Sequence, residues 1–101
     1  MRAASQAGVK IALGSDMSLA VGLEIQRMVF HGLAPADVLT AATGTAAEAL
    51  GLAGHTGTIA EGKLADLLAV DGDPLADPAV LAAPAGPYLV VQRGTLVGWQ
   101  P

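Results

Sequence analysis

The spacing of apolar positions changes character once along this chain. Residues 3–8 are short and helix-compatible, and Gly8 stands where a helix end needs a left-handed residue. Val9-Lys10-Ile11-Ala12-Leu13 comes next as a brief β-rich apolar run, closed by Gly14-Ser15-Asp16, and predicts a strand covered on both faces. Over residues 19–31, Leu23, Ile25, Met28 and Val29 fall at helical spacing, and His31-Gly32 is a stop. A second helix is expected after Leu33-Ala34, with Pro35 in its first turn and Asp37 where the helix dipole favours an anion; it runs to Leu50, and Gly51 ends it.

Beyond Gly51 the helical period gives way to short runs punctuated by Gly, Pro and Asp. Residues 56–60 and 65–70 are expected as two strands of a hairpin joined by Glu61-Gly62, and Asp71-Gly72-Asp73-Pro74 is a dense turn signal. Asp77 can cap a single helical turn begun by Pro78. Residues 88–92 and 95–97 form a last strand pair about Arg93-Gly94. The change of texture divides the chain into residues 1–51 and 52–101.

Composition sharpens this picture. Of the 101 residues, 52% are hydrophobic and 14% charged, where a soluble domain carries about 25% charged residues. Much of the excess is alanine, which fills little core volume, and the aromatics reduce to Phe30, Tyr88 and Trp99. A chain this short with so thin a core needs dense large side chains or a partner, and it reads as a piece cut from something larger. The net charge is −4, with five Lys and Arg scattered along the chain. That leaves no cationic track for phosphates, so nucleic acid is not expected as a partner. The absence of cysteine removes a disulfide framework and a thiolate zinc site and suits a cytoplasmic protein. Residues 78–92, the longest uncharged stretch, are interrupted by Pro84, Gly86 and Pro87, and Met1-Arg2 leads into no continuous apolar segment. Neither a membrane span nor an export signal is expected.

Among the candidate chemical groups, Asp16 directly succeeds an apolar strand. By position alone it can cap the next helix through its side chain, or, at the end of a strand, face a substrate. Ser15 before it, and Met17 and Ser18 after it, share its loop and are candidates for substrate contact. Glu24 and Arg27 read as a surface ion pair, His31 as a helix-end residue, and His55 as an exposed side chain in a Gly-rich connection. Asp66, Asp71 and Asp73 lack the alternating ligands and distal glutamate of a calcium loop and are read as turn formers.

The succession Gly8-Val9-Lys10-Ile11-Ala12-Leu13-Gly14-Ser15-Asp16, Gly32-Leu33-Ala34-Pro35, Ala41-Ala42-Thr43, Ala49-Leu50-Gly51-Leu52, Gly57-Thr58-Ile59, Glu61-Gly62-Lys63-Leu64-Ala65-Asp66-Leu67 and Asp71-Gly72-Asp73-Pro74 resembles the C-terminal end of the metal-dependent amidohydrolase superfamily, most closely its imidazolonepropionase-like and prolidase-like branch. The resemblance implies an α/β fold. Residues 1–51 would supply the last strand and following helices of a (β/α)₈ TIM-like barrel, and residues 52–101 the C-terminal strands of a small composite β-sandwich. It implies a metal site built from an early His-x-His pair, a carboxylated lysine or a glutamate, two further histidines and an aspartate ending the last strand. Here the histidines are His31 and His55, neither in a His-x-His arrangement, so Asp16 alone matches, as metal ligand and catalytic group. Thr45 stands where the family often shows an asparagine after Thr-x.

The activity implied by the resemblance is hydrolysis of amide, cyclic amide or peptide-like carbon–nitrogen bonds in small molecules. A divalent metal, zinc, would serve the full-length parent, with none held tightly by this chain alone, which is expected to be inactive by itself. The alternative is a non-catalytic interaction module that folds by self-association or with a complementary N-terminal chain.

Overall fold

The computed structural model describes residues 1–15, 21–82 and 87–99. Helices α1 (Arg2–Gln6), α2 (Val21–Phe30), α3 (Pro35–Ala42) and α4 (Gly44–Ala49) come first. Strand β1 (Leu67–Val70), a 3₁₀ turn (Pro78–Leu81), β2 (Pro87–Gln92) and β3 (Thr95–Trp99) come after them.

Three of the helices end in one way. At α1, α2 and α4 the glycine two residues past the last helical position (Gly8, Gly32, Gly51) takes φ of +79°, +99° and +73°. Its amide donates to the carbonyl of Ser5, Val29 or Glu48, and the next amide reaches back to Ala4, Met28 or Ala47. This is the paired bonding of a Schellman end, and it satisfies carbonyls that would otherwise lack donors. At α2 the residue after the glycine, Leu33, is buried in the core beside Met28.

The single helix expected over residues 35–50 is two. The break falls at Thr43 (φ −124°, ψ −89°). The Thr43 hydroxyl donates to the Leu39 carbonyl at 2.7 Å, a back-bond that bends helices, and the following Gly44 is a poor helix former. The backbone of Gly57 sits in the notch: a Cβ there would lie 2.6 Å from the Ala47 Cβ and 3.1 Å from the Thr43 carbonyl. The connection between the two halves is thereby seated on the break.

The core consists of Ile25, Met28, Leu33, Val38 and Ala41, with Ile11, Leu13, Leu39 and Leu81 packed around it. Residues 9–13, expected as a strand, form no ladder. Ile11 and Leu13 still turn toward the helices, but the Leu13 amide donates to the Ala41 carbonyl at 2.9 Å. A parallel strand takes its bonds from flanking strands, and no described residue provides one.

In the second half, β1, β2 and β3 form an antiparallel sheet in that order. Leu68 faces Val90, and Leu89 faces Trp99. The expected β2–β3 pair is present, and Arg93 and Gly94 at its turn have φ of +49° and +81°, the two left-handed residues a type I′ turn requires. The expected hairpin of residues 56–60 with 65–70 is not. Residues 56–60 carry no strand, and β1 pairs with β2 instead. Gly57 is committed to the helix notch, and Thr56 and Thr58 bond to Asp66 and Lys63 through their side chains. The turn at Glu61-Gly62 is retained, with Gly62 at φ +85°. Asp77 caps the 3₁₀ turn by accepting from the Ala79 amide at 3.0 Å. That turn packs on α2, where Gly22 leaves room for the Leu81 carbonyl.

Candidate functional site

Asp16, Met17 and Ser18, the centre of the expected site, lie outside the described residues. Ser15, the fourth member, is exposed at the end of the segment that leads to them. The path of that segment is clear. Its odd-numbered residues Ile11 and Leu13 pack on the helices, Ala12 is exposed, and the Lys10 ammonium pairs with Glu48 on α4. A groove of about 280 Å³ lies beside the start of the segment, among Ser5, Val9, Lys10, Asp37, Thr40 and Thr45, away from Ser15.

The remaining candidates stay apart. His31 lies just past α2 and is exposed, its ring edge-on to Phe30 at 5.4 Å. His55 is exposed in the connection, its amide donating to the Leu52 carbonyl. Glu24 and Arg27 form the expected ion pair at 3.2 Å, partly exposed and so of small energetic weight. Asp73 makes a turn, its carboxylate accepting from the Leu75 amide at 2.9 Å. Among the described residues no three of His, Cys, Asp and Glu converge on a point where a metal ion could be held. A catalytic zinc needs several such donors, so the described residues do not fit a metal by themselves.

Asp66 does more than form a turn. One carboxylate oxygen accepts from the Arg93 amide at 2.8 Å, and the other accepts from the Thr56 hydroxyl at 2.8 Å. Beside it the Gly94 amide donates to the Ala65 carbonyl at 3.0 Å. The backbone bond from Arg93 first, and the Thr56 hydroxyl second, hold the Asp66 carboxyl below the usual carboxylate range. One side chain thus ties the connection to the β2–β3 turn. Its only sequence signal was a carboxylate immediately before an apolar strand.

A helical layer backing an apolar segment, with a small antiparallel sheet after it, makes this a mixed helix-and-sheet chain. The model of the Amidohydrolase family matches residues 1–97, and the chain belongs to that family. It is 37% identical over 95 residues to an imidazolonepropionase of Chromobacterium violaceum, covering 86% of this chain and 22% of that protein. The crystal structure of a putative prolidase from Bifidobacterium longum superposes with a TM-score of 0.88 at 36% identity, over 99% of this chain and 25% of the other. That of a Xaa-Pro dipeptidase with methionine bound in its active site gives a TM-score of 0.84 at 35% identity, over 94% and 24%. The chain therefore spans about a quarter of the length of these relatives. No helix among the described residues is long and apolar enough to cross a membrane.

Proposed function

We propose that this chain is the C-terminal part of a hydrolase acting on a carbon–nitrogen bond of a small amide, cyclic amide or dipeptide-like substrate. In this reading residues 1–51 complete a (β/α)₈ barrel, with residues 9–13 as its last strand. Residues 52–101 contribute strands to a composite β-sandwich. Asp16 is the carboxylate at the mouth of the barrel: it takes a proton from the attacking water as the water oxygen bonds to the carbonyl carbon. It returns that proton to the nitrogen as the carbon–nitrogen bond breaks. Ser15, Met17 and Ser18 border the substrate. A divalent metal, zinc in this reading, would activate the water in the full-length arrangement, held by Asp16 together with donors from other parts of that arrangement, since the described residues bring no three such donors together.

The observation that carries the reading is the match to the putative prolidase over 99% of the chain at 36% identity. It is supported by the order of elements, in which an apolar segment with Ile11 and Leu13 against helices leads directly to Ser15 and Asp16. The test is a chimera in which residues 1–97 replace the corresponding segment of a prolidase-like relative. The chimera is expected to hydrolyse the relative's substrate, and Asp16→Ala in it to lower kcat by a factor of about 100 or more, with the folded content unchanged by circular dichroism. A folded, active chimera indifferent to Asp16→Ala would overturn the assignment.

A further inference from the structure

No further inference is drawn: the strongest candidate, the apolar surface patch on the three-stranded sheet around Leu67, Val91 and Val97, is an unpartnered face, and nothing in the structure shows what covers it.

Discussion

Asp66 is exposed, yet both its oxygens are engaged by groups distant in sequence. Because these bonds favour the ionised carboxylate, its pKa falls on folding, and this fixes the sign of the pH effect. Stabilisation by Asp66 is fully present above the unfolded-state value and is lost as pH falls from there through the lowered folded-state value. Asp66→Asn should therefore lower Tm at neutral pH and lose less of it on acidification than the unsubstituted chain; thermal melts between pH 3 and pH 7 read both. Gly57 sets a second constraint. At φ +99°, with Ala47 and the Thr43 carbonyl in the way of a Cβ, Gly57→Ala combines a left-handed alanine with overpacking and should destabilise by about 3 kcal/mol. Gly51→Ala, left-handed at φ +73° but with nothing within 4 Å, should cost only about 1–2 kcal/mol; urea melts of the two variants separate conformation from contact. At this scale the sequence was legible where the cause was local. Gly8, Gly32 and Gly51 arise from helix endings that need only adjacent residues. The Asp66 bond spans 27 positions, and no neighbouring residue announces it.

Elements were legible in proportion to how far they are self-supporting. Helix α2 and the β2–β3 hairpin carry their bonding within themselves and formed as the pattern indicated. The break at Thr43 goes with local features, the Thr43 back-bond and Gly44, whereas the missing strand over residues 56–60 goes with a tertiary one, the seating of Gly57 against Thr43 and Ala47. Residues 9–13 have the composition of a buried strand, but a strand is a relation between segments, and no described residue is a neighbour for it. What the helices do possess is a small shared core centred on Val38, which is 0% exposed. Val38→Ala should cost about 2 kcal/mol through lost burial and the cavity left behind. Val97→Ala on the exposed sheet face should change stability by no more than about 0.5 kcal/mol. Chemical denaturation of the pair checks whether the helical layer is where the folding energy is concentrated.

Taken whole, the chain carries a family's order of motifs with little of the family's expected donor set. The motifs were legible because their succession spans nearly every element; Asp16 was singled out by that succession alone, and it lies outside the described residues. Large apolar side chains reach solvent, Phe30 at 86% and Ile59 at 91% exposure, on a chain that spans about a quarter of its relatives. Residues 1–101 mixed with zinc should give no saturable binding by calorimetry. They should give no turnover on acyl-amino-acid, dipeptide or cyclic-amide substrates either. Turnover that vanishes in Asp16→Ala would mean that some assembly supplies the other ligands. The clasp at the β2–β3 turn has a different kind of consequence. Asp66 grips the backbone amide of Arg93, with the guanidinium adding only a lesser attraction. A lineage can thus exchange the side chain at 93 for any residue at ease in a left-handed turn and keep the grip. At 66 there is no such freedom to drift, because the grip is the side chain itself.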